Sequence, residues 1–239
     1  MCKCVVVVLS GGIGTRFGDN NVPKQYREIG GMPIITRVLK VYERSEYIDQ
    51  IVVVAESCWH DFIISEIREH SISKFFSFAV PGRSRTESMC SGFKSIADTM
   101  HDDDFVMLQD AARPFVTNDM ISRCFLACKN MNCDGAVVSS DEIEGYFIRN
   151  NTNYLLEFVD DKLICVQSPD CYKWGKYSKI IFDSSAAEQA ASRGCQQIAI
   201  NHNLKVLPVG GGGRYNPKIT TQEDLLYCEE LLMSHFSSK

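Results

Sequence analysis

Val5, Val6, Val7 and Val8 stand in a row inside an apolar run, Cys4 to Leu9, and a serine and two glycines follow at once. β-Branched side chains suit an extended backbone, and an unbroken apolar run, unlike an alternating one, suits a strand covered on both faces. A strand covered on both faces needs a layer above and a layer below it. The chain is therefore expected to be an α/β protein: a Rossmann-like, mostly parallel sheet flanked by helices. The run enters Ser10-Gly-Gly-Ile-Gly-Thr-Arg-Phe-Gly18 and, after a short polar stretch, Val22-Pro-Lys-Gln-Tyr26. Gly11, Gly12 and Gly14 let the backbone turn sharply and approach a ligand closely. Successive N–H groups of such a turn converge on one point, and Arg16 and Lys24 add two cations. The stretch from Ser10 to Lys24 reads as a cradle for nucleotide phosphates; glycines alone would equally make a surface turn.

Strand-like and helix-like stretches alternate along the rest of the chain. Pro33 opens a helix through Leu39, Gln50 to Ala55 is a second strand, and a helix bearing Phe62, Ile63 and Ile67 precedes a third strand, Phe76 to Val80. Ser84 to Glu87 has capping-box spacing ahead of a helix carrying Met89, Phe93 and Ile96. Phe105 to Gln109 is a fourth strand; Thr117 caps a helix to about Lys129; Gly135 to Val138 is a fifth strand. Residues 141–167 break the rhythm. Two β-rich segments, Gly145 to Arg149 and Tyr154 to Val159, flank an Asn-rich turn and read as a projecting β-arm. A lone hairpin is marginal in water, so its aromatic residues are expected to bury against a second copy of the chain, giving a homodimer. Asp183 to Arg193 reads as helix, Leu204 to Val209 as strand, and Thr221 to Asp224 as the box opening a last helix. No linker divides residues 1–239, so one domain plus the arm is expected.

The net charge of −5 argues against a general nucleic-acid binder. No apolar run approaches 18 residues and no leader is evident, so no membrane span and a cytoplasmic setting are expected. Eleven cysteines without a paired C-x-x-C knuckle read as reduced, mostly buried thiols, Cys124 and Cys128 on the inner face of a helix among them.

Four stretches carry chemistry, each at or after the end of a strand, where the ligand crevice of an open parallel sheet lies. The first is Gly11 to Lys24. The second, Pro81-Gly-Arg-Ser-Arg-Thr-Glu-Ser88, puts Gly82, Arg83, Arg85 and Ser88 at a helix N-terminus, a ready anion site. The third is Asp110-Ala-Ala-Arg113. A carboxylate at the end of an apolar strand is costly unless it caps, pairs or binds a metal; Asp110 suits Mg²⁺, which takes its other oxygens from phosphates and water. The fourth, Asn216-Pro-Lys218, stands just before the last helix. A Walker loop is absent, and the dinucleotide fingerprint is off by one place at Phe17 and Gly18. Glu56 follows the second strand, but at about twice the usual ~20-residue distance from the glycine loop.

Gly-Gly-x-Gly-x-Arg followed by Pro-Lys-Gln resembles the sugar-phosphate nucleotidyltransferases, and within them the cytidylyltransferases acting on methylerythritol phosphate and ribitol phosphate. The resemblance covers nearly the whole chain, the arm included. It implies attack of an acceptor's phosphate oxygen on the α-phosphorus of CTP, with Arg16, Lys24 and Lys218 as the catalytic cations. By the same similarity Ser10, Gly11, Gly12, Gly14, Gly82, Arg83, Arg85 and Ser88 bind the nucleotide. Asp110 lies near Mg²⁺ and the acceptor, and Arg113 faces the acceptor phosphate. No catalytic histidine is implied, and His60, His70, His101, His202 and His235 read as surface residues. The acceptor half departs from the family pattern. Asp160 stands where an arginine is expected, Glu142 adds a carboxylate, and Thr-Pro-Gln becomes Ser168-Pro169-Asp170. These changes point to a phosphorylated polyol or sugar other than methylerythritol phosphate. They also keep open a catalytically silent nucleotide-binding regulator; the glycine loop alone would fit an NAD(P)-binding dehydrogenase.

Overall fold

The computed structural model describes residues 2–12, 17, 22–140, 147–149, 156–158, 163–192 and 194–236, with the backbone alone at 147–149, 156–158, 235 and 236. Gly14, Arg16, Glu142 and Asp160 lie outside the described residues.

In chain order the strands and α-helices are β1 (Cys4–Leu9), a short ribbon of β2 (Glu28–Ile29) and β3 (Met32–Pro33), and α1 (Ile34–Arg44). Next come β4 (Gln50–Val54), α2 (His60–Glu69), β5 (Phe75–Ala79), α3 (Arg85–Lys94), β6 (Phe105–Asp110), α4 (Asn118–Asn130) and β7 (Gly135–Ser140). The hairpin strands β8 (Phe147–Arg149) and β9 (Leu156–Phe158) pair antiparallel and lead to β10 (Cys165–Lys173). The chain closes with α5 (Trp174–Asp183), α6 (Ala186–Ala191), α7 (Cys195–Asn201), β11 (Val206–Val209) and α8 (Gln222–Leu231). Seven strands form one sheet in the order β11-β7-β10-β6-β1-β4-β5. Every pairing is parallel except those of β10, which runs antiparallel to β6 and β7.

β1 sits near the middle of the sheet and its four valines are fully buried. Val6 and Val8 pack on one face with Ile35, Leu39 and Tyr42 of α1 and Ile121 and Cys124 of α4. Val5 and Val7 pack on the other with Met89 and Phe93 of α3, Tyr177 of α5 and Ile198 of α7. Each such side chain contributes about 1.5–3 kcal/mol of burial, which is why the run carries no polar residue. Cys4, Cys124, Cys128 and Cys171 fill the first of these layers. Their thiols behave as small apolar groups; Cys128 Sγ, for one, donates to the Cys171 carbonyl at 3.0 Å.

Four expectations are corrected. The third strand is Phe75–Ala79, one residue earlier than expected, and Val80 points outward at 67 % exposure. The arm does not run to Gln167: Cys165 to Gln167 already pair with Ser140 to Val138 in the main sheet. β10 is illegible as a strand because Ser168-Pro169 falls mid-strand, at a register shift between Gln167 and Asp170 where proline costs no ladder bond. The helix expected from Asp183 to Arg193 is instead the short α6, Ala186–Ala191; α5 ends at Asp183 and α7 starts only at Cys195. Ser184 ends α5 and Ser185 caps α6 by accepting from Glu188 N at 3.1 Å. His60 is also not a free surface residue; its ring stacks on Phe78 at 3.8 Å.

Register sets the site. Leu9 aligns with Val54 and with Asp110, and Val54 aligns with Ala79, so β1, β4, β5 and β6 end side by side. The segment before α8 joins them through Ile219 N to the Ala112 carbonyl at 2.9 Å. α8 itself is anchored by a full capping box, with Asp224 Oδ2 accepting from Thr221 N at 2.8 Å and Thr221 Oγ1 from Asp224 N at 3.3 Å. Thr221→Ala is expected to cost about 1 kcal/mol of stability. The measurement is urea unfolding, read as a lower midpoint at unchanged slope.

Candidate active site

The loops beyond the four aligned strands enclose a cavity of about 610 Å³. Gly11, Gly12 and Lys24 of the first loop, Gly82, Arg83, Arg85 and Ser88 of the second, Asp110 of the third and Lys218 of the fourth all line it. Gly11 and Lys218 are 207 positions apart in the chain, so their meeting is a tertiary fact. Asp110 is the junction. Its Oδ2 accepts from Lys218 Nζ at 2.7 Å and its Oδ1 from Arg85 Nε at 3.0 Å.

The glycines matter through what they touch. A Cβ on Gly11 would collide with the Pro81 ring, and one on Gly82 with the Glu87 side chain. At Gly12 a Cβ would meet nothing, so its absence widens the cavity rather than relieving a clash. Ser84 caps α3 by accepting from Glu87 N at 3.1 Å, while Glu87 Oε2 accepts from Arg83 N at 2.8 Å. Ser88 Oγ donates to the Ser84 carbonyl at 2.9 Å and accepts from Gly82 N at 3.1 Å, which locks the turn.

The family model for IspD, 2-C-methyl-D-erythritol 4-phosphate cytidylyltransferase, matches residues 4–234. The chain belongs to the IspD family. It is thus an enzyme of the nucleotidyltransferase class. A 2-C-methyl-D-erythritol 4-phosphate cytidylyltransferase of Clostridium tetani is 30% identical over 97% of this chain and 91% of its own. A ribitol-5-phosphate cytidylyltransferase of Lacticaseibacillus paracasei is 29% identical over 92% of this chain and 93% of its own. The crystal structure of 4-diphosphocytidyl-2C-methyl-D-erythritol synthase from Anaerococcus prevotii superposes with a TM-score of 0.79, at 19% identity over 97% of this chain and 96% of that one. That structural likeness concerns the fold.

Two residues named for the IspD site do not line the cavity. Ser10 is buried, and its hydroxyl donates to the Tyr26 phenol oxygen at 3.0 Å. Arg113 is nearly buried: its Nη1 donates to the Asn216 carbonyl at 2.6 Å and its Nε stands 4.0 Å from Asp110 Oδ2. Sequence reasoning missed the supporting residues. Gln25 Nε2 donates to the Ser10 carbonyl at 2.6 Å and the Gly12 carbonyl at 3.0 Å, so the residue after Lys24 holds the glycine turn open. Its place in Pro-Lys-Gln was the signal. Cys195 and Gln196 left none, and Asn216 headed the fourth stretch without a role of its own. Arg85 Nη1 donates to Cys195 Sγ at 2.7 Å, and Asn216 Nδ2 to the Ser168 carbonyl at 3.0 Å. Asp170, one of the altered acceptor residues, is fully buried rather than part of the cavity wall. It accepts from Gln196 Nε2 at 2.9 Å.

Burial alone would push both carboxyls up, and their surroundings separate them. At Asp110 the burial cost is outweighed by Arg85, Lys218 and Arg113, which hold the carboxyl well below the usual carboxylate range. Asp170 has Arg85 only at longer range and feels the charge of Asp110, and it is pushed up to about 6. For Mg²⁺, the donor chemistry fits: the ionised Asp110 carboxylate offers hard oxygen donors, and this ion needs only one or two protein carboxylates beside phosphates. No cluster of three or more acidic, His or Cys ligands exists among the described residues, so the phosphates would have to supply the rest.

Because the native pKa of Asp110 lies below the unfolded value of about 3.9, its ionised form stabilises the fold in full above that pH. The contribution fades as pH falls towards the native value. Asp110→Asn is therefore expected to lower stability at pH 7 by roughly 3 kcal/mol, the low end for breaking a buried pair. The gap to the unsubstituted chain should narrow below about pH 4; a denaturation series across pH measures it.

Proposed function

We propose that the chain transfers CMP from CTP to a phosphorylated polyol or sugar other than methylerythritol phosphate, releasing pyrophosphate. The carrying observation is the convergence of Lys24, Lys218 and Arg85 on the cavity, with Asp110 between the last two. Two anionic reactants must come together there, and a row of cations on a polarised cleft is what that requires. Relatives named for cytidylyl transfer to ribitol 5-phosphate or to 2-C-methyl-D-erythritol 4-phosphate support the nucleotide and bound the acceptor class.

An acceptor phosphate oxygen forms a bond to the α-phosphorus as the bond from that phosphorus to the bridging oxygen breaks, and pyrophosphate leaves with the electron pair. The attacking group is a phosphate monoester, already ionised at neutral pH, so no base is needed. Catalysis is charge neutralisation and in-line positioning. Lys218 and Arg85 are held on Asp110 and can exchange that carboxylate for phosphate oxygens, while Lys24 stands on the adjoining wall. Arg16, on the same loop, is assigned to the triphosphate by family resemblance. Mg²⁺, held through Asp110, would offset phosphate charge when bound. Arg113, nearly buried beside Asp110, is assigned to the acceptor side with Glu142 and Asp160. The two added carboxylates favour an acceptor richer in hydrogen-bond donors than methylerythritol phosphate.

The hairpin β8–β9 is proposed as a dimer element. Ile164 and Val166, at the foot of the arm's return leg, are 40% and 44% exposed, which suits a covered rather than a solvated position.

Lys24→Ala is expected to lower kcat/KM by roughly 10²–10³, the scale for losing one transition-state donor, in a pyrophosphate-release assay. Crossing the four nucleoside triphosphates with polyol and sugar phosphates tests the reading. CTP with ribitol 5-phosphate or a similar polyol phosphate should outperform CTP with methylerythritol phosphate, and the reverse ranking would overturn the acceptor assignment.

A further inference from the structure

A second cavity, of about 340 Å³, shares no lining residue with the first. Helix α1 contributes Arg37, Lys40 and Arg44 to it, spaced i, i+3 and i+7 along one face. The segment before α4 contributes Phe115 and Val116, and the π-helical turn after α8 contributes Leu232. Among the described residues no acid lines this cavity, although the chain as a whole carries a net charge of −5. The one acid in α1, Glu43, is committed elsewhere: it accepts from Ser73 Oγ at 2.6 Å and Lys74 N at 2.9 Å. Lys40 and Arg44 make no hydrogen bond or ion pair with any described residue. Arg37 is half-buried and meets only backbone, its Nε donating to the Ile29 carbonyl at 3.0 Å and its Nη2 to the Gly30 carbonyl at 3.3 Å. Burial without a carboxylate pushes its pKa down.

We infer that this second cavity is an effector site for a small amphipathic anion, a phosphate or diphosphate monoester with an apolar body. Charge specifies the head. Three cations on one helix face repel one another, and a phosphate dianion offsets them more fully than a single carboxylate can. Carbonyls already hold the Arg37 guanidinium in place, and its Nη1 is left for a ligand. The rest of the lining specifies the body. Phe115 and Val116 are nearly buried, and a bare ion would leave their apolar surface wet. Gly30 has φ +54°, and a Cβ there would collide with Leu232, so the bare turn is what lets that leucine close in. Size selects a small molecule, since ligand cavities run from about 300 to 1,000 Å³. The net negative charge of the chain also disfavours an anionic bilayer as the source of the head.

The effector role follows from the segments that the two cavities share. Phe115 stands two residues after Arg113 and five after Asp110. It belongs to one buried cluster with Phe17 of the glycine loop and with Ile219, which adjoins Lys218. An occupant resting on Phe115 therefore bears on three of the loops that form the first cavity. Such a coupling is reciprocal, so nucleotide and effector must shift each other's affinity by the same factor.

The test is calorimetric titration of the full chain with hexyl phosphate, inorganic phosphate and 1-hexanol, at rising fixed concentrations of CTP. Hexyl phosphate should bind at least about tenfold more tightly than either of the others, since each of those lacks one half of the ligand. Lys40→Glu with Arg44→Glu should weaken it by roughly tenfold or more while leaving CTP affinity in its absence unchanged. CTP should shift the affinity for hexyl phosphate by about fivefold and then have no further effect. Equal binding of inorganic phosphate or of hexanol would overturn the inference, as would insensitivity to the double charge reversal. A loss of affinity that grows without limit as CTP is raised would place the probe in the first cavity, and no shift at all would remove the effector role. Failure to bind CTP would instead remove the transferase reading above, on which only the coupling rests; the charge-reversed variant would still decide the site.

Discussion

The bridge from Lys218 through Asp110 to Arg85 is the constraint on which the site depends. It ties the last loop of the chain to a strand end in the middle of the sheet and to the first turn of α3. A carboxylate at that depth is costly without counter-charges, and two cations lining one cleft repel one another without a carboxylate between them. Each partner therefore makes the others tenable. The same arrangement keeps Asp110 ionised at any pH at which an enzyme of this kind would work.

The bridge is propped from beneath by groups that meet no substrate. Ser168 Oγ accepts from Asp110 N at 3.1 Å, and Gln109 Nε2 donates to the Asp110 carbonyl at 2.9 Å. Gln109 in turn accepts from the buried Tyr42 phenol at 2.8 Å, so helix α1 reaches the site through two side chains. Ser168 belongs to β10, the antiparallel strand inserted between β6 and β7. That insertion is what lets a chain segment far downstream of β6 reach its carboxyl end, because an antiparallel neighbour runs back along it.

The separation of Asp110 from Asp170 follows from distance to positive charge. Asp110 and Asp170 are both buried, but only Asp110 has cations at hydrogen-bond distance. Asp170 relies on the Gln196 amide and the Tyr172 phenol, which favour its ionised form far less than a guanidinium does. The carboxylate at this position is thus buried behind the cavity and is no part of its wall.

Much of this was legible without coordinates. The four valines imposed a strand with two covering layers, because no solvated face can hold them. Capping residues marked the starts of α3, α4 and α8, since a serine or threonine before a helical run satisfies otherwise orphaned N–H groups. The residue types of the four loops also singled out stretches that the fold gathers around one cavity. Tertiary structure alone decided the rest. β10 is hidden by a proline whose cost vanishes at a register shift, and the α5–α7 run is divided by serines that read as helix-neutral in isolation. Whether Ser10, Arg113 and Asp170 face the cavity or the interior depends on partners more than 15 residues away in the chain. Glu56 lines the cavity through strand adjacency, and a linear chain does not carry adjacency until the sheet has formed.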